Sequence, residues 1–229
     1  MRLLIVAATP QESLLLLETY KFEKIQTNLF AFISQKLRID FLITGAGIMH
    51  SSAFLMKHLQ LNTAYDLVLN IGICGAFSEQ IEIGKTVEII SEILGDFGAE
   101  DDEKFLTAFE IGLLENKHFP FQNGRIEIPK HQFSHYFKDL PKVSSMTVNK
   151  AHGNEKSIQL IKEKLHADVE NMEGAACAFI CRIMHVPFSE IRTVSNVIEK
   201  RNKAAWKIDF AIEENTKAIQ NFIQQLIER

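Results

Sequence analysis

The 229-residue chain has little cysteine, no excess of positive charge and no long apolar run, and each shortage removes a class of function. Cys74, Cys177 and Cys181 are an odd number of thiols without a disulfide-like framework, which suits a reducing, cytoplasmic setting. The net charge of −4 does not suggest nucleic acid or an anionic membrane as a partner, since both want a concentrated basic face. No stretch approaches the roughly 18 apolar residues of a membrane span. Residues 3–8, after Arg2, superficially suit a signal peptide. The run is too short, however, and meets Gln11 and Glu12 instead of a cleavage-like tail, so it reads as a buried strand. No repeat, low-complexity tract or Pro/Gly/Ser-rich linker divides the chain, and one domain over 1–229 is expected.

What is present is ordinary globular composition, 46% apolar and 24% charged, in a chain long enough to bury a full core. Short, β-branched, nearly unbroken apolar runs at 3–8, 37–44, 67–71, 86–90, 143–148 and 188–194 read as strands covered on both faces. Helices are expected over 12–18, 51–59, 155–165, 173–185 and about 204–227. In the last, Ile208, Ala211, Ile212, Ile219, Phe222, Ile223 and Leu226 form one stripe. The alternation predicts an α/β fold, a three-layer α/β/α sandwich around a mixed central sheet. Ligands in such folds collect at strand ends, which directs attention to 8–12, 44–47, 70–77, 148–153 and 195–196.

Several candidate motifs have plain structural explanations. Gly45-Ala46-Gly47 lacks the third glycine of a dinucleotide fingerprint and any Gly-Lys-Ser/Thr ending, so a tight strand–helix turn accounts for it. Asn70-Ile71-Gly72-Ile73-Cys74-Gly75-Ala76-Phe77 also reads as a tight turn at a strand end. Cys177, Cys181 and His185 are spaced for one helix face, yet structural zinc sites want closer cysteine pairs, and no metal is expected. His131 and His135 lie in a polar stretch that reads as solvated surface. In Val169-Glu170-Asn171-Met172-Glu173-Gly174-Ala175-Ala176 two carboxylates precede a small-residue helix start. Local physics leaves two readings open there, plain helix-start charge or a functional carboxylate.

Taken together, Met172-Glu173-Gly174-Ala175-Ala176 and Pro187-Phe188-Ser189-Glu190-Ile191-Arg192-Thr193-Val194-Ser195-Asn196 resemble the purine nucleoside phosphorylase and methylthioadenosine nucleosidase superfamily. Thr44-Gly45-Ala46-Gly47 and the 70–77 stretch fall in the matching order, and the resemblance is weakest over 110–142. It implies a nucleoside substrate, no cofactor, and assembly as a homo-oligomer. It also implies that Glu173 holds the ribose hydroxyls, Met172 packs under the sugar, Glu12 activates water and Asn196 contacts the purine N7. Ile73 stands in the glycine stretch among the substrate-binding residues, and Lys150 and Ala151 stand near a loop that flanks the base.

The chemistry suits these residue types. Cleaving a ribosyl–purine bond develops positive charge on the sugar and negative charge on the base. A carboxylate on the hydroxyls favours the first, a general base prepares the water, and a donor at N7 helps the base depart. Phosphorylases of the superfamily bind phosphate with arginines and a Ser or Thr in the glycine stretch. This chain offers Gln11, Asn70 and Ile73, and no arginine between Arg38 and Arg125, which favours water as nucleophile. Adenine-specific relatives carry aspartate where Asn196 stands; two amide donors suit the N7 and O6 acceptors of a 6-oxopurine. Residues 94–100 and 195–206 resemble one hydrolase branch, whose nucleoside carries hypoxanthine and a 5′ arm ending in benzoate. Phe97, Phe105 or Trp206 are then candidates to pack on that arm, and Arg201 to meet its carboxylate. Adenine release, phosphorolysis, and nucleoside binding without turnover are the competing readings.

Overall fold

The computed structural model describes residues 1–62 and 64–228; Thr63 and Arg229, part of the domain expected over 1–229, lie outside the described residues. The strands are β1 (Arg2–Ala7), β2 (Glu23–Gln26), β3 (Leu29–Ile33), β4 (Arg38–Ile43), β5 (Leu67–Ala76), β6 (Thr86–Leu94), β7 (Gly98–Asp101), β8 (Lys104–Thr107), β9 (Phe121–Gln122), β10 (Arg125–Glu127), β11 (Lys142–Thr147), β12 (Val169–Asn171) and β13 (Phe188–Val197). The helices are α1 (Pro10–Thr19), α2 (Ile48–Leu61), α3 (Glu155–Leu165), α4 (Gly174–Ile183) and α5 (Ile208–Ile227).

Among the described residues 11 strands form one mixed sheet, with β7 and β8 paired separately. From one edge the order is β2-β3-β4-β1-β5. The unbroken apolar run of β1 is explained by its neighbours. Leu3 and Ile5 join a core with Ile219, Phe222 and Ile223 of α5, while Leu4 and Val6 join one with Leu55 and Leu59 of α2 and Ala178 and Cys181 of α4. A parallel strand covered on both faces needs apolar residues at every position. Six stripe residues of α5, from Ala211 to Leu226, are buried. At roughly 1.5–3 kcal/mol for each large aliphatic or aromatic side chain, packing holds this helix far more than propensity does. The three-layer α/β/α arrangement around a mixed sheet is therefore as expected.

Beyond β1 the sheet closes on itself. β5 pairs with β13, β13 with β6, β6 with β11, β11 with β12, and β12 with β5 again. Cys74, Ala76, Val87, Ile89, Val143, Val169 and Val194, all from these five strands, pack together and fill one end of the ring. At the other end the buried residues are polar: Asn70, Ser145, Thr147, Asn171, Glu190 and Arg192.

Several expectations are corrected. The turn expected at 70–77 is strand: β5 continues through both glycines to Ala76. Close approach explains them, since a Cβ on Gly72 would lie 2.6 Å from Arg192 Nη1 and 2.7 Å from Glu12 Oε1. Likewise β13 runs past 194 to Val197, carrying Asn196 inside it with a bulge after Val194. The last helix begins at Ile208, after a 3-10 turn at Lys203–Ala205. The outer strand β2 is fully exposed and shows no apolar run, while the apolar run of its partner β3, Leu29 to Ile33, was not among the expected strands. His131 is not solvated surface; its Nε2 meets Phe188 O at 3.1 Å and Ser189 Oγ at 2.9 Å. Cys177 and Cys181 are buried in the core under α4, which ends at Ile183, and His185 takes a left-handed φ of 54°. No helix among the described residues is long and apolar enough to cross a membrane.

Candidate active site

The site occupies a gap in the ladder. On one side β5 pairs with β1 as far as Asn70 and with β12 only from Gly75. Between them the N–H of Ile73 donates to a side chain, Glu12 Oε1, at 3.3 Å. Thr9 and Glu12 form a capping box at the start of α1, with Pro10 in its first turn. Thr9 donates to Glu12 Oε2 through its backbone N–H at 3.1 Å and its hydroxyl at 2.8 Å. Glu12 is thus fixed by its own helix start and by β5. Burial pushes its carboxyl up from the ordinary range, and the opposing pull of Arg192 does not cancel this.

Glu173 approaches from the other wall, at the residue preceding α4. Its Oε1 accepts from the Gly47 N–H at 3.0 Å and its Oε2 lies 3.5 Å from Arg192 Nη1. Gly47 has a φ of 88°, a conformation that favours glycine, so the turn between β4 and α2 presents its amide to a carboxylate. The first amides of α4 are served by other side chains. Asn171 Oδ1 accepts from Glu173 N at 2.8 Å and Gly174 N at 2.7 Å, and Thr147 Oγ1 accepts from Ala175 N at 2.7 Å. The Glu173 carboxylate is therefore not consumed by capping its own helix.

Arg192 connects the two walls. It is 1% exposed, and its Nε donates to Glu190 Oε1 at 2.8 Å and its Nη2 to Asn70 Oδ1 at 2.7 Å. Nη1 reaches Ile73 O and Glu173 Oε2, each at 3.5 Å. Burial alone would lower its pKa, but Glu190, Glu173 and Glu12 outweigh that and raise it, so the guanidinium stays charged. Behind it Glu92 accepts from Thr147 Oγ1 at 2.8 Å and Asn171 Nδ2 at 2.7 Å. Glu92 and Glu190 meet beneath Gly174, where a side chain would collide with both. Burial, then repulsion from Glu190, holds Glu92 well up; burial also raises Glu190.

Asn196 is oriented along the strand. Its Oδ1 accepts from Ser195 Oγ at 2.8 Å and its Nδ2 donates to Val197 O at 3.0 Å. One N–H remains for a ligand rather than the two expected from sequence, and Ser195 holds the amide against pivoting.

A cavity of about 290 Å³ gathers Glu12, Ile73, Ala151, Met172, Glu173 and Asn196, six of the eight residues singled out from sequence. Trp206 lines it as well. Lys150 lies in a neighbouring cavity with Phe105, its N–H on Asp96 Oδ2 at 3.1 Å. Arg201 is exposed, its guanidinium carbon 5.3 Å from the centre of the Trp206 ring, and Phe97 lines a separate apolar cavity. Among the described residues no group of three His, Cys, Asp or Glu is placed to hold a metal ion. Sequence reasoning missed three contributors. Arg192 was quoted in a motif without a role, and His152 and Glu170, which both line the cavity, are joined by a short Nδ1–carboxylate bond across 18 residues of sequence.

A family model described as the phosphorylase superfamily matches residues 2–228. Futalosine hydrolase of Streptomyces coelicolor is 29% identical over 156 residues, 68% of this chain and 64% of that protein. The match thus spans less than two thirds of the Streptomyces protein. Futalosine hydrolase of Thermus thermophilus is 24% identical over 187 residues, 81% of each chain. Among solved structures, a futalosine hydrolase mutant of Helicobacter pylori superposes with a TM-score of 0.82 at 18% identity, over 98% of this chain and 99% of that one. A methylthioadenosine nucleosidase mutant of the same organism, with 5′-methylthioadenosine in its active site, gives 0.80 at 17% identity over 98% of both chains. At these identities the superpositions speak for the fold alone.

Proposed function

The chain belongs to the phosphorylase superfamily, and from that premise we propose that it is a nucleosidase hydrolysing futalosine to hypoxanthine and the dehypoxanthine sugar product, on a route to menaquinone. The observation that carries the reading is the pairing of Glu12 and Glu173 through Arg192 in one cavity with Asn196. Glu173 grips the ribose hydroxyls, Met172 packs under the ring and Ile73 closes the sugar side. Glu12, its carboxyl raised toward the working pH, takes the proton of a water that attacks C1′. The C1′–N9 bond breaks, and its electrons leave with the base, which Asn196 steadies through its free N–H at N7 or O6.

Water is favoured over phosphate because Arg192, which lies behind the cavity walls, is committed. Its donors face Glu190, Asn70, Ile73 O and Glu173, and a phosphate dianion there would meet two carboxylates. The reading extends to a single domain acting in the cytoplasm as a homo-oligomer. In support of the last, an apolar cavity of about 510 Å³ opens beside α2 among exposed Phe97 and Phe119, close to exposed Met49 and Phe54 of that helix. Arg201, resting on Trp206, is the candidate for the substrate's benzoate, and Lys150 and Ala151 belong to the base-side loop.

The test is a chromatographic product assay with futalosine, methylthioadenosine and inosine, each with and without phosphate. Hypoxanthine from futalosine, indifferent to phosphate, is expected. Adenine from methylthioadenosine would favour an adenine-releasing nucleosidase instead, phosphate dependence a phosphorylase, and silence on every substrate a binding protein.

A further inference from the structure

We infer that His152, fixed by Glu170, is a specificity-determining residue that accepts a hydrogen bond from N1–H of a 6-oxopurine and so turns away 6-aminopurines. The inference rests on the reading of the cavity as a purine nucleoside site and adds a second wall to it.

The register places that wall. Gly75 of β5 pairs with Glu170 of β12 on one side and with Asn196 of β13 on the other. Residues in register across a sheet turn their side chains to one face, and neighbouring strands lie about 4.8 Å apart. Glu170 and Asn196 therefore stand on the strands either side of Gly75, roughly 9–10 Å apart between backbones. A Cβ on Gly75 would come within 3.2 Å of Asn196 Nδ2 and 2.8 Å of Ile198 Cγ1. Glycine thus admits the Ile198 side chain, which itself lines the cavity.

Glu170 is itself occupied by His152. Its Oε1 accepts the His152 backbone N–H at 3.0 Å, and its Oε2 takes the ring at Nδ1. In the neutral ring a carboxylate at Nδ1 fixes the proton there and leaves Nε2 with a lone pair. The side chain is 9% exposed, it lines this cavity and the neighbouring one, and no hydrogen bond to Nε2 is formed among the described residues. A nearly buried acceptor that lines a cavity and has no protein partner is a place for a ligand donor.

The base chemistry matches. Hypoxanthine presents acceptors at N7 and O6 and a donor at N1; adenine presents an acceptor at N1 and a donor at its 6-amino group. Asn196 retains one free N–H for the N7/O6 edge, and His152 supplies the acceptor for N1–H. Against adenine both would face the wrong polarity at one edge, a mismatch that costs more than a merely absent contact.

Calorimetric binding of hypoxanthine, 1-methylhypoxanthine and adenine tests this, alongside kcat/KM for futalosine. The wild type is expected to prefer hypoxanthine to both other bases by about tenfold or more. His152→Leu is expected to bind hypoxanthine and 1-methylhypoxanthine alike and to lose futalosine turnover mainly through KM. Glu170→Gln, which keeps the shape, is expected to narrow the preference in the same direction by loosening the tautomer. A wild type that binds 1-methylhypoxanthine as well as hypoxanthine, or a His152→Leu protein that still discriminates, overturns the assignment while leaving the function standing. A wild type that prefers adenine, or binds none of the three, overturns both.

Discussion

Two buried polar networks lie at opposite ends of β1, and they are built on opposite balances of charge. At its beginning Arg2 and Arg38 converge on one carboxylate, Asp40, at 2.8 and 2.9 Å, and Tyr65 donates to it at 2.6 Å. Tyr65 is in turn joined by His58 Nε2 at 2.7 Å. Beyond its end a single cation, Arg192, serves Glu12, Glu173 and Glu190, with Glu92 behind. Burial raises the carboxyls of both networks, but at Asp40 the hydrogen bonds from Tyr65, Arg2 and Arg38 win, and its carboxyl is held below the ordinary range. At Glu12, Glu92 and Glu190 burial wins, and the carboxyls stay above it. A saturated network of two cations to one anion secures strands and has nothing left for a ligand. An acid-rich one keeps groups whose needs a ligand can meet, which is why perturbed groups gather at functional sites.

The comparison is broken most severely if Glu12 proves to be structural. Glu12→Gln is expected to lower kcat by roughly 10²–10⁴-fold with little change in Tm. Glutamine still completes the capping box, and a carboxyl already pushed up by burial loses no favourable charge when it is made neutral. A large fall in Tm with kcat retained would move Glu12 to the same class as Asp40. Next in size is Asp40→Asn, expected to cost about 3 kcal/mol, or roughly 10 °C in Tm, because two guanidinium groups lose their counter-charge. Its kcat is expected to stay within about twofold of wild type, since nothing at Asp40 reaches the cavity; a parallel loss of kcat and Tm would show that the networks are coupled through β1.

The smallest effect is a separation by pH. His58 has its pKa lowered by burial, so the unfolded chain binds its proton first, and stability falls as pH drops below the ordinary histidine value of 6.5. Glu12 is raised, so the base form is lost at a pH above the ordinary 4.5, and the acid limb of kcat/KM lies above that value. His58→Gln is therefore expected to make Tm less dependent on pH between 7 and 5.5, leaving the acid limb where it was. A limb that moves with His58 would contradict the separation.

The two regions were also unequally legible in the sequence. The strands of the core were readable because Leu3 to Val6 must serve two cores and so leave no polar position, and the α5 stripe because its burial repeats with the helix. Glu12, Met172, Glu173 and Asn196 were reached through resemblance, as no spacing rule joins residues 12 and 196. Arg192 went unassigned because an arginine between apolar neighbours announces nothing about partners contributed by β5 and by the turn before α4. Gly72 and Gly75 misled for a physical reason. A glycine admitting a guanidinium or a neighbouring side chain is indistinguishable, in one dimension, from a glycine that bends a chain. His152 and Glu170 are joined by a contact that no periodicity encodes.

The stretch of β5 left open on one side also has a meaning in time. The bond from the Ile73 amide to Glu12 joins residues 61 apart, and that from Gly47 to Glu173 joins residues 126 apart. Contacts of such separation form late, after loop-closure entropy has been overcome. A nascent chain that has delivered β1, α1 and β5 still holds an open groove with one carboxylate in it. Only when β12 and β13 have closed the ring do Glu173, Arg192 and Asn196 meet Glu12, so the appearance of the site reports that the last strands are in place.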